Sequence, residues 1–217
     1  MRQILRPAIV AIVLSTLALG IAYPLIVTGI SQVAFPSKAD GSLIKRNGRD
    51  VGSSLLAQPF TKPVLDRNGK PKVDSDGNPV TAPDPRYFQP RPSVTGYNPA
   101  GTFFSNRGPN SAVAAFAFRD NVNAYLALEK PYDAGLTAGK IPVDGVTTSG
   151  SGVDPHISPA NARVQAYRIA SQRGIPRSAV LKLIDQNTDG RSLGVLGMPG
   201  VNVLKLNLAL DAKAPTR

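Results

Sequence analysis

Between Pro7 and Ile30 the chain reads PAIVAIVLSTLALGIAYPLIVTGI, without one charged residue. Arg2 and Arg6 precede this run, and the next charge after it is Lys38. An α-helix rises about 1.5 Å per residue, so roughly 20 apolar residues cross a hydrocarbon core about 30 Å thick. The run is long enough to cross, and no other stretch approaches it. This restricts the chain to one membrane anchor and one soluble body. The boundaries that follow are a tail over 1–7, a membrane helix over 8–33 and a body over 34–217. A cleaved secretory leader is the competing reading, with Ala18-Leu19-Gly20 or Gly20-Ile21-Ala22 as its small-residue cleavage site. Leu25, Ile26, Val27 and Ile30 carry the apolar run past the roughly 7–15 residues of a leader, which favours a retained helix.

Within that helix Pro24 can kink the backbone, a feature membrane helices tolerate when neighbours re-satisfy the freed carbonyl. Gly20, Pro24, Thr28 and Gly29 mark a face that can pack against another helix, because small residues let backbones approach. Both nearby cations lie on the N-terminal side. The positive-inside rule then keeps the N-terminus in the cytoplasm and sends the body across the cell (inner) membrane, as a single-pass protein. An extracytoplasmic body could hold disulfides, yet the chain has no cysteine, so it depends on its own core. About 180 residues are enough for one.

The formal charge of +11 raises nucleic acid or anionic lipid as partners. The cations are scattered singly from Lys38 to Arg217, and the densest group, Lys45-Arg46 with Arg49, is interrupted by Asn47 and Gly48. Aromatic residues are not interleaved with them, so the stacking platform of a single-strand binder is missing. The pattern excludes nucleic acid and describes a solvated, basic surface.

Phe35-Pro36 closes the membrane helix, and 39–56 reads as turns and short strands. Val64 to Pro85 holds two turn signals, Asn68-Gly69 and Asp76-Gly77, and almost no apolar content, which predicts an exposed hairpin excursion. Asp74 and Asp76 hint at a calcium loop, but the further ligands and distant Glu are missing, the only Glu being Glu129. Ser111 to Lys130 reads as a capped helix with Val113, Phe116, Val122 and Tyr125 or Leu126 at helical spacing. Ser158-Pro159 opens a second helix that ends at Gly174, and Pro176 starts a third through Val180, Leu181 and Ile184. From Asn202 to Leu210 leucine alternates with other residues, which predicts a half-buried strand. Mixed helices and strands without a regular βαβ rhythm give an α+β body.

The densest polar segment, 141–160, holds Asp144, Thr147, Thr148, Ser149, Ser151, Asp154, Ser158 and the single histidine, His156. Neither Ser149 nor Ser151 completes the G-x-S-x-G elbow of a serine hydrolase. One histidine without cysteine makes a zinc site implausible, so His156 is expected to be a hydrogen-bonding loop residue. Gly135 to Lys140 is one residue short of a phosphate loop and is followed by Ile141. The segment 149–152 offers a small anion nest or a plain structural turn. No self-sufficient active site emerges.

Taken together, several short motifs run in order along the chain. They are Tyr23-Pro24-Leu25 with Thr28-Gly29, Phe35-Pro36, Gly41-Ser42-Leu43, Gln58 with Phe60, and Tyr87-Phe88 before Arg91-Pro92-Ser93. Ser105-Asn106 and Gly108-Pro109 follow, then Pro142-Val143-Asp144, Ser149 to Gly152, Asp154 to Pro159, Gln165 with Arg168, and Val201 to Leu204 with Leu206-Asn207. In this combination the chain resembles the C subunit of the Kdp-type potassium-transporting ATPases. The chief departure is the 64–85 excursion. The resemblance implies a non-catalytic accessory subunit with one transmembrane helix. The implied partners are a potassium-channel-like subunit, a P-type ATPase subunit and a very small membrane peptide. It also implies the role of a catalytic chaperone that raises the ATP affinity of the ATPase subunit. A body outside the cytoplasm cannot touch cytoplasmic ATP, so no cofactor of its own is expected and ATP acts only through the ATPase subunit. Assembly and stabilisation of the channel-like subunit, with control of ion access, is the favoured role. On this reading Asp144, Ser149, Ser151, Asp154, His156, Ser158 and Asn202 are structural or partner-facing. The alternative is a membrane-anchored extracytoplasmic hydrolase or binding module, with His156 paired to a nucleophile.

Overall fold

A computed structural model of the protein describes residues 2–215. Met1 and residues 216–217, where the last scattered cation Arg217 falls, lie outside the described residues. The chain divides into two compact units, 1–53 and 54–217.

The first unit opens with uninterrupted helical backbone: α1 (Arg2–Ser15), a π-helical stretch (Thr16–Ala22) and α2 (Tyr23–Ala34). From Ile4 to Ala34 this gives 31 residues that are long and apolar enough to cross a membrane. The π winding has a local cause. Pro24 has no N–H, and its ring crowds the carbonyl four residues back. The spiral widens just before it, so that the Tyr23 N–H bonds to the Ala18 C=O, five residues back. Pro24 is thus accommodated by a change of register rather than a break. Phe35 ends α2, its N–H bonding to the Ser31 C=O at 2.8 Å. A short helix, α3 (Pro36–Ala39), leads to the antiparallel hairpin β1 (Leu43–Arg46) and β2 (Arg49–Ser53). Asn47 and Gly48 both adopt positive φ, 51° and 76°, the geometry of a tight hairpin turn.

The second unit is built on α5 (Pro159–Arg173). Its start follows the sequence signature, because Ser158 Oγ accepts a hydrogen bond from the Asn161 N–H at 3.0 Å and Pro159 occupies the first turn. Its end does too, with Gly174 in the left-handed region at φ 63°. The face of Ala162, Ala166 and Ile169 is fully buried. Against it pack α6 (Arg177–Gln186) through Val180 and Ile184, and α7 (Val203–Lys213) through Val203, Leu206 and Leu210. Phe88 completes this core with no exposed surface. A second cluster gathers Tyr125, Leu136, Ile141 and Val146.

α7 corrects the expectation of a strand from Asn202 to Leu210. Only Gly200–Asn202 is strand (β7), pairing antiparallel with β5 (His156–Ile157) and β6 (Thr188–Asp189) in the order β5-β7-β6. Asn202 then caps α7, its side chain accepting from the Lys205 N–H. The buried positions 203, 204, 206, 207 and 210 follow a three-and-four spacing around one helix face, which the alternating leucines concealed.

α4 (Ala112–Glu129) is capped by Ser111 as expected, but only its C-terminal half packs inward. Tyr125 and Glu129 are buried, whereas Val113 and Phe116 are 56% and 60% exposed. The 64–85 excursion is a ladder hung on β3 (Thr61–Pro63) and β4 (Thr81–Pro83), with further bridges between Leu65 and Pro71 and between Val73 and Pro79. Its root is less exposed than its composition suggested, because Asp84 is buried and chelated by Arg86 at 2.7–3.3 Å.

Candidate functional site

The body's deepest polar structure surrounds Arg168, a side chain with no exposed surface. Its position on α5 aims the guanidinium at the chain segment leading to Phe88. Nε donates to Glu129 Oε1 of α4 at 2.9 Å, Nη2 to Gln165 Oε1 at 3.0 Å, and Nη1 to the carbonyls of Pro85 and Tyr87. Gln165 extends the clamp by accepting from the Gln89 N–H at 2.8 Å and donating to the Gln89 C=O at 3.1 Å. Asn207 of α7 grips Phe88 in the same two-handed way, at 2.9 and 3.0 Å. A loop strand is thereby held by side chains that mimic a sheet partner, which satisfies its otherwise orphaned backbone groups. Burial pushes the Glu129 carboxyl above its ordinary pKa, and the Arg168 charge pulls against that. Glu129 Oε2 has no hydrogen-bond partner, so Arg168 supplies all the compensation.

The network continues to the surface. Asn161 accepts from Tyr125 OH at 2.8 Å and donates to Asp144 Oδ2 at 3.0 Å. Asp144 also accepts from the Ser158 N–H and hydroxyl, both at 2.7 Å. Burial pushes the Tyr125 phenol up, keeping it neutral. Asp144 and Ser158 then form one wall of an open cleft of about 720 Å³, with Arg91, Thr147, Asp154, His156 and Asp189 around it. Met198, Pro199 and Gly200 close the far side.

His156 stands between two carboxylates: Nδ1 lies 3.5 Å from Asp154 Oδ1 and Nε2 lies 3.8 Å from Asp189 Oδ2. Asp154 also receives the His156 backbone N–H at 3.0 Å and faces Arg91 Nη1 at 3.4 Å. Burial pushes the Asp154 carboxyl up, but the His156 hydrogen bonds and the Arg91 charge outweigh it and hold the pKa below the ordinary value. The Ser158 hydroxyl is committed to Asp144 and to capping α5. The arrangement can recognise a partner by charge and shape, and it holds no activated nucleophile. Among the described residues no three His, Cys, Asp or Glu side chains are placed so that they could hold a metal ion together.

Of the residues singled out from sequence, Asp144, Asp154, His156 and Ser158 do come together at this cleft. Ser151 stands apart as a turn former, accepting from the Val153 N–H at 3.2 Å, and Ser149 is buried. Asn202 joins β7 to α7 and donates to the Ser54 C=O at 2.8 Å. Gly20, Pro24, Thr28 and Gly29 belong to the helix of the first unit. Sequence reasoning missed the clamp of Arg168, Glu129, Asn161 and Gln89. Two signals were available: Gln165 with Arg168 stood among the ordered motifs, and Glu129, the sole glutamate, falls on an otherwise apolar helix turn.

The aromatic side chains from Tyr87 to Phe104 divide between the interior and the surface. Phe88 is core, Tyr87 stacks on Phe60 at 5.4 Å under the Arg173 guanidinium, and the Tyr97 hydroxyl donates to the Arg91 C=O at 2.9 Å. Phe103 and Phe104 are 56% and 54% exposed, as are Phe116 and Phe118 of α4 at 60% and 49%.

The family model described as "KdpC: K+-transporting ATPase, c chain" matches residues 5–212. A relative from Polaromonas naphthalenivorans, named potassium-transporting ATPase KdpC subunit, is 45% identical over 99% of this chain and 97% of its own. Relatives of the same name from Cereibacter sphaeroides and Geobacter sulfurreducens are 45% and 43% identical. The first is covered over 96% of both chains, and the second over 97% of this chain and 98% of its own.

Proposed function

Since the chain belongs to the KdpC family of K+-transporting ATPase C chains, we propose that it acts as a non-catalytic subunit that assembles and stabilises that complex. The observation that carries this reading is how the polar residues are used. Arg168, Glu129, Gln165, Asn161, Asp144 and Ser158 hydrogen-bond one another or the backbone, and none is paired as nucleophile and base. Attachment is at two points, by the membrane helix and by the exposed phenylalanines at 103, 104, 116 and 118. Aromatic side chains are favoured anchors in protein interfaces.

The partners on this reading are the channel-like subunit, the P-type ATPase subunit and the small membrane peptide. Arg2 and Arg6 place the N-terminus in the cytoplasm and the body outside it. ATP is then reached only through the ATPase subunit, and any effect on its affinity for ATP is indirect. The test is a pull-down of the tagged full chain from native membranes in mild detergent. Recovery of the potassium-transporting ATPase subunits supports the reading, and recovery of the chain alone ends it. A protease-access measurement on sealed vesicles checks the orientation, with cleavage of the body only from the cytoplasmic face as the contrary result.

A further inference from the structure

We infer that the centre of the membrane helix is a docking point for a hydrogen-bond donor carried by a transmembrane helix of another subunit. The inference deepens the assembly reading above and rests on it. Inside the π stretch the Tyr23 N–H bonds to the Ala18 C=O, five residues back. In α2 the ladder has returned to the four-residue step, as where the Phe35 N–H meets the Ser31 C=O. A step from five to four strands one carbonyl, because two acceptors then share one donor. The donor at this junction is Pro24, which has no N–H. The Leu19 carbonyl is then left without a backbone donor, because the Tyr23 N–H is given to Ala18 and Pro24 has none, and the Gly20 carbonyl loses its usual donor four residues on.

Their position gives this its weight. Residues 19 and 20 fall at the midpoint of the Ile4–Ala34 span. Lipid tails offer no donor, and an unpaired carbonyl in hydrocarbon is costly. The helix is also open at this point, because a Cβ built on Gly20 meets only Thr16 Cγ2, at 3.8 Å. Bare backbone and a stranded acceptor at one level call for a close-packed neighbour with a hydroxyl or amide donor. Ser, Thr, Asn, Gln or Tyr on a partner helix fits, and membrane helices associate through such contacts.

The test uses the full chain coexpressed with the rest of its complex. Gly20→Val closes the approach to the carbonyls. Pro24→Ala restores the missing N–H and lets the chain satisfy an acceptor itself. Ala22→Val is the control, two residues further on and so on roughly the opposite side of the helix. Alkaline extraction verifies that each variant is inserted, and retention with the ATPase in mild detergent is the readout. Roughly three- to tenfold loss is expected for Gly20→Val and for Pro24→Ala, with none for Ala22→Val. Loss with Gly20→Val alone would reduce the site to close packing and overturn the donor. Full retention of both variants would overturn the docking point while leaving the assembly reading intact. A homodimer lost with Gly20→Val, beside an intact complex, would assign the site to a second copy of the chain and overturn the partner helix. Failure of the unaltered chain to be retained would bring down the assembly reading itself.

Discussion

Helix α5 and the membrane helix both carry polar groups away from water, and they treat them oppositely. α5 buries Arg168 and Gln165 and partners both within the same chain, down to individual backbone carbonyls at Pro85, Tyr87 and Gln89. The membrane helix buries no charge from Pro7 to Ile30, yet its register change at Pro24 strands the Leu19 carbonyl without a backbone donor. The difference separates two tasks. A body whose polar groups are closed on themselves can keep its shape by itself, whereas a helix with open acceptors has its last hydrogen bonds supplied by another molecule.

The sharpest way to break this comparison is to open the body's network. Arg168→Met would leave Glu129 buried without its counter-ion and release the Pro85 and Tyr87 carbonyls. A destabilisation of about 3–5 kcal/mol is expected, measured by urea unfolding. The double change Arg168→Met with Glu129→Met should recover much of that, because the stranded charge is then gone. A single variant as stable as the unaltered protein would mean that the clamp does not hold the fold.

The phenylalanines sharpen the same contrast. Phe88→Ala empties a fully buried site and should cost about 3–5 kcal/mol. Phe103→Ala and Phe116→Ala, at exposed sites, should change stability by less than about 0.5 kcal/mol while weakening retention in the complex. Equal losses of stability at all three would dissolve the distinction between core and docking face.

The helices were legible in the sequence because their ends carry local chemistry. Ser111, Ser158 with Pro159, and Gly174 each act within one turn of their own position, and all three do what their residue types dictate. Asn202 was misread because a cap followed by alternating leucines fits a strand until the depth of each side chain is known. The alternation at 204, 206, 208 and 210 and the buried helical set 203, 204, 206, 207 and 210 share three members. The Arg168 clamp was hidden for another reason: it joins positions from 85 to 168, and no local pattern encodes such a separation. The cleft was half visible. Asp144, Asp154, His156 and Ser158 are close in sequence, while Arg91 and Asp189 reach it only through the fold.

A pH dependence probes the self-contained body more gently. Burial raises the Tyr97 phenol from 10.0 to about 12. A folded-state pKa above the unfolded one means the folded body favours the neutral phenol. Its contribution is complete below about pH 10 and is lost as pH rises through about 12. Roughly 2 kcal/mol should disappear across that window. The measurement is the difference from Tyr97→Phe, whose unfolding curve should lack this component. Parallel curves for the two proteins would show that Tyr97 is no less free to ionise than in the unfolded chain.

The smallest expected effect concerns the excursion, where polar groups are closed on themselves at the surface. Asp66 accepts from the Asn68 and Lys70 N–H groups at 2.8 and 2.9 Å, and Asp74 accepts from those of Asp76 and Asn78, both at 2.9 Å. Gly69 and Gly77 follow at φ 75° and 81°, so the two loops are copies of one turn built from the same Asp-x-x-Gly pattern. Exposed hydrogen bonds of this kind hold the loops in shape without anchoring them to the core. The anchoring begins at the root, with buried Asp84 and its Arg86 chelate. Replacing residues 64–80 by an Asn-Gly turn between Pro63 and Thr81 keeps the β3–β4 pairing and everything beyond it. Stability should shift by no more than about 0.5 kcal/mol, since shortening a flexible loop changes closure entropy only slightly. Retention in the complex should also be unchanged. A shortened chain that folds with the same unfolding midpoint but no longer copurifies would move the excursion from ornament to docking surface, and the body would then reach its partners through this ladder as well as through its phenylalanines.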